Sequence, residues 1–335
     1  MIGQTPIFIL LATYHGARFL PALLDSLFDQ IDPHWIIVAR DDGSDDDTIG
    51  VLEHYARRDP RVLVLRDISG RLGVRGNFER LLVHALNSGA ELFALCDQDD
   101  IWFPGKLARM RAAMSEGAVR YGSSVPLLGY ADLALIDITG QTIANSHFER
   151  AGAGQVRAGV DSWLLAHNLI PGCAMFGNRA LLDRALPFPT QVSHHDWWLA
   201  VVAAASGHVM PVEAVLTGYR QHSDNVIGAA SPAKRVVMFL HRFGPSLAAA
   251  RTQYKCAVDQ ATALLERLGD DGHEEWRAAA LAVRDRLGAR RRLSRLLAVL
   301  AGPVRRLGFA RNVLMFAVAL FKPGCPVRRA GSRAG

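Results

Sequence analysis

Three aspartates within four residues, Asp97-Gln98-Asp99-Asp100, follow directly on the apolar run Leu92 to Cys96. Carboxylates crowded in this way repel one another. A hard cation relieves that repulsion, because Mg²⁺ and Mn²⁺ prefer oxygen ligands and commonly take one or two carboxylates together with phosphate oxygens. The chemistry that suits this set is departure of a diphosphate, whose growing negative charge the cation offsets. An acidic surface turn has the same composition, so the stretch alone leaves both readings open.

Other groups have the same double character. Asp41 and Asp42 in Arg40-Asp41-Asp42-Gly43-Ser44 end a second apolar run; they suit hydrogen bonds from a base edge or a ribose, or a turn with a helix cap. Leu11-Ala12-Thr13-Tyr14 ends the first apolar run and offers main-chain amides and a phenol ring beside a nucleotide, a pattern that an ordinary strand end shares. In Ser193-His194-His195-Asp196-Trp197-Trp198, Asp196 suits a general base on a hydroxyl with the indoles against apolar sugar faces, or simply a helix cap. A zinc site is disfavoured there, because His194 and His195 are adjacent and lack the i, i+4 spacing that puts two ligands on one helix face. Tyr219-Arg220-Gln221-His222 brings a guanidinium fork for phosphate and an imidazole that can complete a cation's coordination. Gly228 to Pro232 has the small residues of a closing lid.

Apolar runs and helical spacing alternate through the first hundred residues: strand Pro6 to Thr13, helix Arg18 to Phe28, strand Trp35 to Ala39, helix Thr48 to Arg57, strand Arg61 to Arg66, helix Gly76 to Asn87, strand Leu92 to Cys96. This order predicts an α/β fold with a mostly parallel central sheet flanked by helices, and ligands beyond the carboxyl ends of its strands. Thr13, Asp41 and Asp97 all fall at such ends. Further on, a helix is expected at Lys106 to Met114, a strand at Leu127 to Ile136, an irregular stretch to about Asn168, helices at Leu181 to Leu186 and Trp197 to Ala205, and a strand at Val212 to Tyr219. Helical character dominates after Ser231.

Half of the 335 residues are hydrophobic and 21% are charged, the balance of a folded protein. Cys96, Cys173, Cys256 and Cys325 are scattered without metal or redox spacing, which fits a reducing cytoplasm, and the N-terminus reads as a strand rather than a secretory signal. The net charge of +6 is uneven, with arginines crowded between Arg284 and Arg333 among leucine, valine and phenylalanine. Its aromatics are not interleaved with the arginines as stacking platforms, so this segment does not suit nucleic acid; an anionic membrane surface is the better partner. The apolar run Val313 to Phe321 is too short to span a bilayer, for which about 20 residues are needed. It suits either an interfacial helix or a packed one. The expectation is a catalytic domain over residues 1–230 and a helical, basic C-terminal extension over 231–335, cytoplasmic and peripheral on the inner face of the cell membrane.

In their order, Leu11-Ala12-Thr13-Tyr14, Asp41-Asp42-Gly43-Ser44, Leu72-Gly73-Val74 with Asn77-Phe78, Asp97-Gln98-Asp99-Asp100-Ile101-Trp102, His195-Asp196-Trp197-Trp198 and Tyr219-Arg220-Gln221-His222 resemble glycosyltransferase family 2, most of all its rhamnosyltransferase-like bacterial branch. The resemblance covers about Ile7 to Gly228. It implies a GT-A fold, a nucleotide-diphosphate sugar donor, Mg²⁺ or Mn²⁺, and inversion at the anomeric carbon. By position, Thr13, Tyr14, Asp41 and Asp42 are expected around the nucleoside, Asp97 near its ribose, Asp99 and His222 on the metal, and Asp196 as the base on the acceptor hydroxyl. The sequence departs at His15, where the family usually has asparagine, and at His195, where a glutamate is common elsewhere in the family but not in this branch.

The activity implied is transfer of a sugar, with L-rhamnose from dTDP-L-rhamnose as first choice, to a hydroxyl of a saccharide or lipid-linked saccharide acceptor in cell-surface polysaccharide synthesis. Two alternatives are nucleotidyl transfer to a sugar phosphate, which releases pyrophosphate, and a carbohydrate-binding or assembly subunit without turnover.

Overall fold

The structure is a computed structural model that describes residues 5–67, 69–151, 162–222, 243–269 and 271–287, with single positions 289, 293 and 318. The Gly228 to Pro232 turn, nearly all of Val313 to Phe321 and most of the arginine-rich segment lie outside the described residues. Contacts gather the chain into two units, Met1–Val160 with Leu169–Pro232, and Asp161–Asn168 with Ala233–Gly335.

Among the described residues the first unit is built on a nine-stranded sheet. Its strands are β1 (Ile7–Thr13), β2 (Trp35–Asp41), β3 (Val62–Val64), β4 (Leu92–Asp97), β5 (Ile101–Trp102), β6 (Leu127–Ile136), β7 (Thr142–Ala144), β8 (Met175–Asn178) and β9 (His208–Arg220). They lie in the order β3-β2-β1-β4-β8-β6-β9-β5, with β7 paired to β6. The half from β3 to β4 is parallel throughout. Ile7, Ile9 and Leu11 alternate with Phe8 and Leu10, and all five are buried, because helices cover both faces of a parallel sheet. Beyond β4 the sheet is mixed: β8 runs antiparallel to β4 and β6, β9 is parallel to β6, and β5 is antiparallel to β9.

The helices are α1 (Leu20–Phe28), α2 (Thr48–Arg58), α3 (Gly73–Asn87), α4 (Lys106–Tyr121), α5 (His147–Ala151), α6 (Arg179–Ala185) and α7 (His195–Ser206). The amphipathic α1 buries Leu20, Leu23, Leu24 and Leu27, which pack in one core cluster with Ile9, Ile37 and Leu107. Register then fixes the functional edge. Thr13 lies opposite Asp41, and Ala12 opposite Asp97, so the carboxyl ends of β1, β2 and β4 finish together. On the other side, Ile101 and Trp102 pair with Gly218 and Thr217, which brings the end of β9 beside the acidic turn.

The expected strands and helices of the first hundred residues are all present, although β3 is only three residues long. The expected irregular stretch holds β7 and α5, and β8 precedes α6. The described part of the second unit is helical: α8 (Phe243–Leu268), α9 (Glu274–Ala282), a π-helical turn at Val283–Leu287 and a 3₁₀ turn at Ser162–Leu165. Tyr254 in α8 donates its hydroxyl to the Leu287 carbonyl at 2.7 Å. No helix among the described residues is long and apolar enough to cross a membrane.

Candidate active site

At the end of β1 the main chain turns outward, and a side-chain amide holds it there. Gln98 accepts from the Tyr14 N–H and donates to the Tyr14 carbonyl, both at 2.8 Å, bridging the ends of β1 and β4 as a strand would. Gly16 makes room for this: a Cβ there would lie 2.3 Å from Gln98 Oε1. The Tyr14 ring stacks on His15 at 4.0 Å, and the Arg71 guanidinium lies 4.1 Å from its centroid. His15 has φ 51°. Asparagine and histidine are both enriched in that left-handed region, so the departure from the family's usual asparagine keeps the local backbone shape.

The two aspartates after β2 are heavily committed. Asp41 accepts from Thr13 Oγ1 (2.9 Å), Ser44 Oγ (2.6 Å), Ser44 N–H (2.7 Å) and Gly43 N–H (3.0 Å), enough to fill a carboxylate's usual acceptor capacity. Asp42 is buried and receives the Leu72 and Gly73 amides at the start of α3, both at 2.7 Å, and Arg40 Nη1 at 2.9 Å. Arg40 also reaches both oxygens of Asp67, and Asn77 ties the Thr13 and Arg40 carbonyls. Their bonds are those of a turn and a helix start, and they shape the mouth in which Tyr14 stands.

The acidic turn follows. Burial first, then the neighbouring Asp99 and Asp196 carboxylates, push Asp97 up to about 7, so the groups expected at the donor, the metal and the acceptor sense one another in one place. Asp99 Oδ2 lies 2.7 Å from His222 Nε2, a pair joined across 123 residues of sequence. Phe19 supports that corner, with its ring 5.2 Å from the His222 ring and 4.9 Å from the Arg220 guanidinium carbon. Arg220 is buried; Nε donates to the Asp99 carbonyl (2.8 Å) and Nη1 to the carbonyls of Asp137 (3.1 Å) and Ile138 (3.0 Å). Its backbone amide donates to Asp100 Oδ1 at 3.2 Å. Nε thus holds the main chain of the acidic turn, and Nη1 holds the carbonyls of the segment between β6 and β7.

Two donor sets lie near this turn, Asp97 with Asp100 and Cys173, and Asp99 with His222. Asp97, Asp100 and Cys173 offer ligand atoms within 4.8 Å of one another. That set includes a thiol held well up by burial, and the Lys106 ammonium bonds the Cys173 carbonyl, a poor setting for a hard cation. Asp99 and His222 present an oxygen and an imidazole nitrogen with side chains 18% and 14% exposed, open enough for phosphate oxygens to join them. The donor chemistry of the second set fits Mg²⁺ or Mn²⁺.

Asp196 is in the first turn of α7, where its Oδ1 accepts the Trp197 amide at 2.7 Å. A carboxylate is favoured near a helix N-terminus. His195 stacks on Phe78 at 4.0 Å; burial holds it down to about 4, so it is neutral at ordinary pH. Gly172 permits this approach, since a Cβ there would lie 3.0 Å from His195 Nε2 and 3.6 Å from Asp196 Cβ. The two indoles are not sugar platforms. Trp197 and Trp198 are 1% and 0% exposed, and Trp198 Nε1 donates to the Ala185 carbonyl at 2.9 Å. Both belong to the core under α7, because that helix is buried on nearly every side.

Gln98, Phe19, Lys106 and Cys173 also build this site. A polar amide between aspartates marks Gln98 in the sequence, whereas Lys106 reads only as the start of a helix. Phe19 looks like one more apolar position of α1.

The sheet order, the shared strand ends and the carboxylates at them are those of a glycosyltransferase, and comparison with known proteins agrees. Residues 8–127 match Glycosyl transferase family 2, and the chain is a glycosyltransferase with a GT-A fold. It is similar to the dTDP-rhamnosyl transferase RfbG of Shigella flexneri, 26% identical over an alignment of 233 residues that covers 65% of this chain and 74% of that protein. Among solved structures, residues 1–349 of S. aureus TarS in complex with UDP-GlcNAc are similar at TM-score 0.55 and 14% identity, covering 94% of this chain and 90% of that one. A mannosyltransferase from Pyrobaculum calidifontis in complex with GDP-Man and Mn²⁺ is similar at TM-score 0.51 and 16% identity, covering 94% and 81%. These structures share the fold.

Proposed function

We propose that this glycosyltransferase is inverting and metal-dependent, and that it moves L-rhamnose from dTDP-L-rhamnose to a hydroxyl of a saccharide or lipid-linked saccharide acceptor. The observation that carries the reading is the Asp99–His222 pair, 2.7 Å apart, in the turn that follows Asp97, whose carboxyl feels the charge of Asp196. Asp99 and His222 hold Mg²⁺ or Mn²⁺, which supplies charge neutralisation to the departing diphosphate. Thr13, Tyr14 and Asp41 frame the nucleoside, with Asp42 holding the frame from behind, and Asp97 faces the ribose. Arg220 keeps the acidic turn in place through its main chain. Asp196 takes the acceptor proton as the hydroxyl attacks opposite the departing diphosphate.

Support for rhamnose comes from the Shigella relative's name. Support for a nucleotide-sugar donor and a divalent cation comes from the UDP-GlcNAc and GDP-Man/Mn²⁺ complexes of proteins with this fold. The basic segment Arg284 to Arg333 docks the protein on anionic lipid from the cytoplasmic side. The test is release of nucleoside diphosphate from a panel of activated sugars by wild type, Asp99→Ala and Asp196→Ala. Both variants are expected to lose turnover on the donor that wild type uses; unchanged release by either one overturns its assignment.

A further inference from the structure

The segment between α6 and α7 carries Pro187-Phe188-Pro189, in which Phe188 has the only N–H because proline has none. Such a stretch cannot join a strand or helix ladder and depends on side chains for its main-chain bonds. Two residues of α3 supply them. Glu79 Oε1 accepts the Phe188 N–H at 2.7 Å, and Arg75 Nη2 donates to the Phe188 and Pro189 carbonyls at 3.3 and 3.1 Å. The two side chains also pair with each other, Arg75 Nη1 to Glu79 Oε2 at 3.2 Å, at the i, i+4 spacing that puts both on one helix face. Arg75 Nε is buried without a partner, so the guanidinium is turned toward the segment at the cost of one unmade bond.

What this clasp holds leads into α7. The Val192 amide donates to the Pro189 carbonyl at 3.0 Å, and Phe188 and Val192 are buried. Beyond them the His195 ring stacks at 4.0 Å on Phe78, the neighbour of Glu79 on α3, and Trp198 Nε1 returns to the Ala185 carbonyl at 2.9 Å. Asp196 stands between these two fixed residues, in the first turn of α7. The start of α3 is fixed at the donor side, where the Leu72 and Gly73 amides rest on Asp42 and the Arg71 guanidinium covers the Tyr14 ring. One helix thus touches both halves of the site.

We propose that Arg75 and Glu79 are positioning residues: their clasp on Phe188 and Pro189, with Phe78 against His195, sets where α7 begins and so holds Asp196 in place relative to the donor mouth. The effect on turnover rests on the role given to Asp196 above; the clasp itself does not.

Glu79→Ala removes the acceptor of the Phe188 N–H and the partner of Arg75, whereas Glu79→Gln keeps an oxygen for that amide. Hydrogen exchange on the full chain reads the clasp without reference to activity. The peptide from Leu186 to His194 is expected to exchange at least tenfold faster in Glu79→Ala and within threefold of wild type in Glu79→Gln. Unchanged exchange in Glu79→Ala overturns the clasp. If Glu79→Ala does not fold, Arg75→Met cuts the carbonyl bonds from the other side and takes its place, with Arg75→Lys as the conservative partner.

Acceptor-dependent release of nucleoside diphosphate at saturating Mn²⁺ then separates positioning from plain support. Glu79→Ala is expected to lower kcat at least tenfold with donor KM within twofold, and Glu79→Gln to restore most of kcat. In an Asp196→Asn background Glu79→Ala is expected to change kcat less than twofold, because no base is left to misplace. A loss of equal size in both backgrounds, or faster exchange with unchanged kcat, overturns positioning through Asp196. Normal turnover by Asp196→Asn alone sinks the base reading and the turnover part of this proposal with it, while the exchange result still decides the clasp.

Discussion

Replacing Asp42 with alanine should damage the fold more than its place in a donor pocket suggests. Its carboxylate is only 4% exposed and is 2.9 Å from Arg40 Nη1. Breaking one partner out of a buried ion pair typically costs about 3–5 kcal/mol. Here Arg40 keeps both oxygens of Asp67, the Gly70 carbonyl and Asn77, so the lower end applies to the pair. The Leu72 and Gly73 amides at the start of α3 also lose their acceptor, which solvent can replace because both residues are exposed. The expected loss is therefore about 3 kcal/mol, or a fall in melting temperature of roughly 6–12 °C for a domain of this size. Urea unfolding should show a lower midpoint at unchanged slope. Asp41→Ala, which loses three bonds within its own turn and one from Thr13 but breaks no buried ion pair, should cost about 1 kcal/mol. A loss below about 1 kcal/mol for Asp42→Ala, accompanied by collapse of nucleotide binding, would refute the structural assignment.

Other consequences can be checked in parallel. The folded pKa of His195 is depressed to about 4, so its contribution is complete above the unfolded value of about 6.5 and is lost as pH falls through 4; His195→Leu should flatten the stability–pH curve in that window relative to wild type. Asp67, held at about 2 chiefly by its hydrogen bond to Arg40, stabilises above the unfolded value near 3.9 and ceases to do so as pH falls through 2; the gap in urea midpoint between wild type and Asp67→Asn should close on acidification. Trp198→Phe should lose about 1–2 kcal/mol through the Ala185 hydrogen bond and the smaller ring while leaving the acceptor KM unchanged, whereas a large KM effect would restore the sugar-platform reading. Removal of residues after Ser231 should weaken binding to anionic vesicles, and equal binding would dismiss the membrane contact.

The parallel half of the sheet was legible because β1, β2 and β4 are apolar on both faces and end in turn chemistry, so strand positions and the shared edge of Thr13, Asp41 and Asp97 followed from pattern alone. The mixed half was less legible. β8 has four residues including a glycine, and β5 has only Ile101 and Trp102, which are held by pairing with β9 rather than by their own periodicity. At the site, residue types announced the carboxylates and His222, whose meeting with Asp99 depends on a register 123 residues away. The same spacing could not show that Trp197 and Trp198 point into the core, that Arg220 bonds carbonyls, or that Lys106 is buried. Each of those outcomes is decided by tertiary packing.

The claim that Asp196 is the acceptor-side base is tested most directly by acceptor-dependent release of dTDP from dTDP-L-rhamnose, comparing wild type with Asp196→Asn at saturating Mn²⁺. Asparagine preserves size and can still receive the Trp197 amide, so the fold and the donor KM should be retained while kcat falls by about 10²–10⁴, the usual contribution of general-base catalysis. A variant that turns over within a few-fold of wild type contradicts the account.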